Sequence, residues 1–428
     1  MAAPDSLVLT FEDARQVVED HASLLSPSTV ETVTLLQAAC RILADPVIAD
    51  RDLPPFPRST RDGYAVHAAD LEKLPAKLTV VGEIKAGPLP GKVVASLNRG
   101  EAFSIMTGAP VPLSPNAVIM IEHTTRHGEC VEITKSVLPG ENIVAQAAEA
   151  KAGSLLLDRG TRLSEAAIAL AASVGKSRLQ VYGRPRVAVL ATGDEIVEVE
   201  AEITPAQIRN SNSYSLAVQV EQAGGEPVLL SIAPDEPRRL RQLIEQGLES
   251  DLLLMTGGVS MGRYDLVEQV LAEMGAEFHF TGAKIQPGRP VVFGRVPSRS
   301  RGSGGLARPG IPVPESHRYF FGLPGNPVST MVTFELFARP IIEALAGAAP
   351  RPLAFLHARL KSEIRVKAGL KRFLPAILSG QYEDSQVDLV QWQGSGDIAA
   401  RCRSNCYIVM PADREHILPG EWIAVMLR

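Results

Sequence analysis

From about Arg184 to Ala346, short and wholly apolar runs alternate with amphipathic stretches of helical length. Val187 to Leu190, Val228 to Ile232, Leu252 to Met255 and Tyr319 to Leu323 read as strands buried on both faces. Helices are predicted between and after them. One runs from about Ser213 to Ala223 and stops at Gly224-Gly225. A second opens at Asp235-Glu236-Pro237 and runs through Leu248. A third covers about Asp265 to Met274, and a long one follows the Leu323-Pro324-Gly325-Asn326-Pro327-Val328-Ser329 loop. This alternation predicts a parallel sheet with helices on both faces.

The flanks have other textures. Thr10 and Asp13 form a capping-box pattern ahead of Val17, Val18 and Leu24, and a second helix is expected from about Val33 to Ala44. Pro54-Pro55-Phe56-Pro57 breaks the chain. From about Pro46 to Val144, short alternating runs such as Leu78 to Val81 and Ala117 to Ile121 are separated by Gly and Pro turns, which predicts a β-rich module. A helix from about Ser164 to Val174, stopped at Gly175, follows. The last 80 or so residues alternate again at Leu356 to Val366, Phe373 to Leu378, Tyr407 to Met410 and Trp422 to Leu427.

The predicted fold is therefore α/β plus β: an elongated multidomain chain with a central parallel three-layer α/β domain, an inserted β-rich module and a small C-terminal β-barrel-like domain. The expected divisions are residues 1–45 with 145–182 as a helical and linker domain, 46–144 as the inserted module, 183–346 as the α/β domain and 347–428 as the terminal β domain. The Ser-, Gly- and Arg-rich stretch between Pro297 and His317 reads as a surface excursion.

Composition narrows the function classes. A chain of 428 residues exceeds the ~250–300 that one core supports, consistent with several domains. Apolar residues at 45% and charged residues at 21% are ordinary for a soluble protein. A net charge of −5 without a basic stripe argues against nucleic acid as a partner. No apolar run approaches the ~20 residues that span a bilayer, and the acidic N-terminus is not a signal peptide. Cys40, Cys130, Cys402 and Cys406 lack zinc spacing and read as incidental thiols of a reducing cytoplasm.

Ligands of parallel sheets bind at the carboxyl ends of the strands. Three Gly-bearing loops follow predicted strands here: Thr192-Gly193, Thr256-Gly257-Gly258-Val259-Ser260 and Pro324-Gly325-Asn326-Pro327-Val328-Ser329. Asn326 fits a helix cap and Pro327 a first helical position, so backbone N–H groups and the helix dipole would face a phosphate. Acidic residues share this edge. Asp235 and Asp265 fit equally as N-caps or, with Glu195, as ligands of Mg²⁺. Lys284, Gln286 and Arg289 form either a solvated loop or a cationic oxyanion site. In the β module, Arg58 to Ala65 and Met106 to Pro112 are polar clusters or tight turns.

Taken in order, seven segments resemble the molybdopterin molybdenumtransferases, a family that includes the C-terminal domain of gephyrin. They are Arg61-Asp62-Gly63-Tyr64-Ala65, Ile105 to Pro112, Ala191 to Glu195, Arg209-Asn210-Ser211-Asn212, Thr256 to Gly262, Pro287-Gly288-Arg289-Pro290 and Leu323 to Ser329. The resemblance implies an enzyme that takes adenylyl-molybdopterin and molybdate, releases AMP with the help of Mg²⁺ and leaves molybdenum on the dithiolene. It also implies a homodimer whose active site joins the α/β domain of one subunit to the β module of the other. Asp62, Glu195, Asp235 and Asp265 would be catalytic, the last three around the metal. Thr107, Thr192, Gly193, Gly257, Gly258, Ser260, Pro324, Gly325, Asn326, Pro327 and Ser329 would hold the pterin nucleotide. Lys284 and Arg289 would attract molybdate. The chain departs from the family at Arg61, where Met is usual, and at Gln286 and Gly282, where Lys is common. A non-catalytic pterin-binding scaffold and a molybdopterin adenylyltransferase are the competing expectations.

Overall fold

The computed structural model describes residues 7–87, 96–112, 114–258, 266–297, 317–349, 352–381 and 383–427. The chain divides into two compact units, one of residues 33–39 and 45–179, the other of residues 1–32, 40–44 and 180–428.

The smaller unit holds a six-stranded sheet in which Gly63–Val66 lies between Ala117–Met120 and Glu101–Ile105, continued by Ala76–Ile84, Cys130–Ile133 and Thr124–His127. Tyr64, Val66, Ala102, Ile119 and Val131 close one core; Ala65, Phe103, Ile105 and Val118 close another on the opposite face. That division follows the two-residue period of a strand. The expected helix at Glu165–Ser173 is present, capped by the Ser164 hydroxyl and stopped at Gly175. The long helix expected from Val33 to Ala44 is not. A strand occupies Val30–Thr34 and only Leu35–Ala38 is helical. The β-branched Val30, Thr32, Val33 and Thr34 favour extension, and Cys40 turns the chain at φ 63°.

The larger unit is built on a second six-stranded sheet, in the order Glu226–Leu229, Arg186–Ala191, Leu252–Thr256, His317–Leu323, Val292–Pro297, Glu277–Phe280. Its first four strands are parallel, as expected. The last two are antiparallel, so the sheet is mixed rather than wholly parallel. No helix separates Glu277–Phe280 from Val292–Pro297, and a parallel return needs a longer crossover.

Alternate strand residues feed opposite cores. Val187, Val189, Leu252, Leu254 and Phe321 pack with the helices Phe11–Ser23, Asn212–Ala223 and the segment after Pro327. Ala188, Leu190, Leu253, Met255 and Phe320 pack with Pro237–Gly247 and Leu266–Glu273. The predicted long helix is interrupted: Pro327–Thr333 passes through a π-helical turn at Phe334–Ala338 into Arg339–Leu345.

The C-terminal strands Phe355–Leu360, Lys371–Ser379, Gln386–Leu389, Cys406–Met410 and Trp422–Leu427 close into a barrel, because Lys371–Ser379 pairs with both Gln386–Leu389 and Cys406–Met410. Sequence reasoning missed Gln386–Leu389 and the helix Ile398–Arg403. Ile285–Gln286, which leads away from the α/β sheet, joins the barrel by parallel pairing to Lys371–Arg372. Cys406 is buried and the other three cysteines are exposed.

At the outer edge of the sheet, His21 of the Phe11–Ser23 helix stacks on His279, with ring centroids 4.0 Å apart, and its Nδ1 lies 3.0 Å from the Tyr319 hydroxyl. Asp20, Glu277, Arg295 and His317 are the charged or titratable neighbours. Burial, then the neighbouring His21, pushes the His279 pKa down to about 4, and burial also lowers that of His21. The unfolded chain therefore binds more protons below the ordinary imidazole value of about 6.5, so stability is complete above it and declines toward pH 4. Melting temperatures measured across this window should fall with pH in the wild type. The fall should be shallower in His279→Gln; equal slopes would rule out the histidine pair as the cause.

Candidate active site at the strand ends

The three parallel strands end at one level. Ala191 is registered against Thr256, and Thr256 against Leu323. The loops that leave them are therefore side by side. They line a cavity of about 810 Å³ together with residues 208–212, the Ile285–Pro290 segment and, from the barrel, Leu370, Trp392, Gly394 and Ser395. That volume suits a ligand of drug or nucleotide size.

The loops interlock through specific groups. Gly257 adopts φ +90°, and a Cβ there would lie 2.3 Å from the Thr192 carbonyl oxygen, so only glycine fits. The Thr192 N–H donates to the Thr256 carbonyl at 2.9 Å. Asn212, in the first turn of its helix, donates from Nδ2 to Thr256 Oγ1 at 2.9 Å and to the Gly325 carbonyl at 2.7 Å. One amide thus joins two strand-end loops. Among the described residues, two buried atoms of cavity-lining side chains have no protein partner: Thr192 Oγ1 and Asn212 Oδ1. Buried polar atoms are rarely left so, and a ligand's polar groups would complete them.

The barrel reaches the third loop through Ser395. Its carbonyl accepts from Val328 N at 2.9 Å and its hydroxyl accepts from Asn326 Nδ2 at 2.9 Å. Asn326 occupies the N-cap position with Pro327 next, as the sequence implies, but its side chain makes no capping bond because it is committed to Ser395. The Val328 N–H is spent on the Ser395 carbonyl, so the expected set of free N–H groups at this helix start is smaller by that one.

Glu195 lines the cavity, and Asp194 and Asp235 stand behind it: Asp235 N donates to Asp194 Oδ1 at 3.0 Å. Burial, followed by the Asp194 and Glu195 charges, raises the Asp235 pKa. Glu236, not Asp235, is the N-cap of the following helix, so the capping role weighed for Asp235 falls away. Among the described residues, no three His, Cys, Asp or Glu side chains form a ready-made metal cage. Gly193 adopts φ +139°, close against the Glu195 carboxylate, without lining the cavity.

Of the two expected cations, Arg289 lines the cavity and Lys284 does not. Gln286 lines it too, and its Oε1 accepts from Arg372 Nε at 2.7 Å. Arg372 is buried, which lowers its pKa. Pro324, Gly325, Asn326, Pro327, Ser329, Thr192, Gly257 and Gly258 are gathered as expected. Ser260 and Asp265 lie outside the described residues. Asp62 and Thr107 belong to the smaller unit, where they form a closed pair: Thr107 N and Oγ1 donate to Asp62 Oδ1 at 2.7 and 2.9 Å. Those bonds, the backbone one first, lower the Asp62 pKa.

Residues 9–175 match the family described as MoeA N-terminal region (domain I and II), 188–344 the probable molybdopterin binding domain, and 357–427 the MoeA C-terminal region (domain IV). The molybdopterin molybdenumtransferase of a Nostoc species is 34% identical over 94% of this chain and 89% of its own. The chain belongs to the molybdopterin molybdenumtransferase family. The Haemophilus influenzae member is 32% identical, covering 98% of each chain. A crystal structure of the molybdopterin biosynthesis moeA protein from Pyrococcus horikoshii OT3 superposes with a TM-score of 0.76 at 28% identity, covering 98% of this chain and 100% of that one.

Within this family frame, sequence reasoning found Arg209-Asn210-Ser211-Asn212 as a motif but gave it no role, noted Ser395 only within Gln393-Gly394-Ser395-Gly396 as a loose match to the family's terminal domain, and passed over Leu370 and Trp392. Asn212→Ala should cost about 1–3 kcal/mol, because it strands the Thr256 hydroxyl and the Gly325 carbonyl. Denaturant unfolding measures this. An unchanged midpoint would show that the amide does not hold the loops.

Proposed function

We propose that the chain inserts molybdenum from molybdate into adenylyl-molybdopterin and releases AMP, as a transferase of molybdenum cofactor biosynthesis. The observation that carries this reading is the level ending of three strands around the unpartnered Thr192 Oγ1 and Asn212 Oδ1, beside the carboxylates of Glu195, Asp194 and Asp235.

In this reading, backbone N–H groups of the Gly257-Gly258 and Gly325-Asn326 loops receive phosphate oxygens, and Thr192 and Asn212 orient the ligand's polar groups. Arg289 supplies cationic attraction for the oxyanion from within the cavity wall. Gln286, with Arg372 behind it, occupies the place where lysine is common in the family. Mg²⁺ fits the acidic edge: burial first, and then the negative charge of Asp194 and Glu195, raise the Asp235 pKa, and a cation would relieve that charge. Mg²⁺ also takes few protein carboxylates when phosphates complete its shell. Glu195, Asp235 and Asp265 would hold it, and it would neutralise charge on the phosphate leaving group.

The finer architecture belongs to the same proposal. Residues 46–144 are an insertion, and a homodimer in the cytoplasm lets the Asp62–Thr107 pair of one subunit complete the site of the other. The closed hydrogen bonding of that pair supports a preformed contribution.

AMP release from adenylyl-molybdopterin, molybdate and Mg²⁺ tests the reading. Glu195→Gln should lower the rate by about 10- to 100-fold, the scale of weakening a metal site's carboxylate support. Ligand binding without AMP release in the wild type would favour a scaffold. The pH profile carries a further expectation. Asp235 must be ionised to hold a cation, so activity falls on the acid side. Asp194→Asn removes one of the charges that raise the Asp235 pKa and should move that limb to lower pH. An unmoved limb would detach Asp235 from the titration.

A further inference from the structure

We propose that Trp392 is the stacking face on which the cavity receives a planar heterocycle of its substrate, either the pyrimidinone ring of the pterin or the adenine. This inference rests on the function proposed above and assigns a specificity residue to that site.

Trp392 is the one aromatic side chain among the described residues that line the cavity. The other apolar walls are aliphatic or proline, among them Ile196, Ile208, Ile285 and Leu370. A planar ring needs a flat, polarisable surface of its own size, and an indole supplies one where branched aliphatic chains do not. Trp392 is half-buried and packs against both the core of the α/β sheet and that of the barrel. Its backing is therefore solid, and the residue also lines the cavity.

The loop that carries it is locked from three directions. The Asp397 carboxylate accepts from Gln393 N at 3.0 Å and from Ala400 N at 2.9 Å, closing the loop and capping the helix Ile398–Arg403. Gly394, at φ +106°, accepts from Asp397 N through its carbonyl. Ser395 fastens the loop to Val328 and Asn326 of the strand-end loop. An aromatic held this way loses little freedom when a ring lands on it, which is the condition for a stacking platform rather than a mobile cover. The same Ser395 bonds tie the Trp392 loop to the strand-end loop that would receive phosphate in the proposed function, and both line one cavity.

The chain has two tryptophans, and Trp422 lies in the barrel strand Trp422–Leu427, half exposed. In Trp422→Phe, indole fluorescence therefore reports Trp392 alone. This protein is titrated with AMP, with a tetrahydropterin and with ribose 5-phosphate, corrected for inner-filter absorption. Quenching by AMP and not by ribose 5-phosphate assigns the adenine. Quenching by the pterin and not by AMP assigns the pterin. In turnover, Trp392→Ala should raise KM for adenylyl-molybdopterin about tenfold with kcat changed little, the scale of one lost stacking contact. Trp392→Phe should restore most of the difference. If no ring-bearing ligand quenches while the wild type still releases AMP, the inference is overturned and the functional reading stands. If ring-bearing ligands quench but the wild type releases no AMP, stacking stands and the functional reading falls.

Discussion

Asn212 joins two loops with one amide, and the organisation of the site follows from that junction. Its Nδ2 holds Thr256 at the end of one strand and Gly325 just past the end of the next. Thr192, at the end of the third, is tied to Thr256 through the backbone and lies against Gly257 too closely for any side chain there. Parallel pairing in uniform register brings the three ends level, and the chain must then turn sharply to reach its helices. The turns leave Thr192 Oγ1 and Asn212 Oδ1 buried with no partner among the described residues. A binding site is the natural result of making these strands end together.

The same physics extends outward. Ile285–Gln286 leaves the α/β sheet and becomes a strand partner of the barrel, and Ser395 returns the favour at the Asn326 loop. The cavity wall is therefore shared by two folds, with Gln286 and Arg372 bonded across the seam. On the acidic side, burial first and then the charges of Asp194 and Glu195 oppose the ionisation of Asp235. In the proposed function, backbone N–H groups on one side would take phosphate and the carboxylates of Glu195 and Asp235 on the other would hold a cation.

Much of this was legible in the sequence because it is local. Wholly apolar runs such as Val187 to Leu190 announce buried strands, and Gly-bearing loops after them announce strand ends. The helix at Glu165–Ser173 is announced by Ser164 and Gly175. What escaped depends on partners distant in the chain. The antiparallel edge of the sheet follows from which strands find each other, not from their composition. Asn326 has the residue type of a cap, but a serine 69 positions away takes its side chain. Val33 to Ala44 has helical apolar spacing, yet its β-branched start is extended. Trp392 sits in a short polar loop whose importance appears only when the barrel is laid against the sheet core.

Backbone hydrogen exchange in the presence of AMP and molybdate tests the central claim most directly, that the level strand ends form the ligand site. The account predicts added protection at Thr192, at Gly257-Gly258 and at Gly325 to Thr330, with the outer edge around Glu277–Phe280 unaffected. Protection confined to other segments, with these loops exchanging as in the unliganded protein, would contradict it.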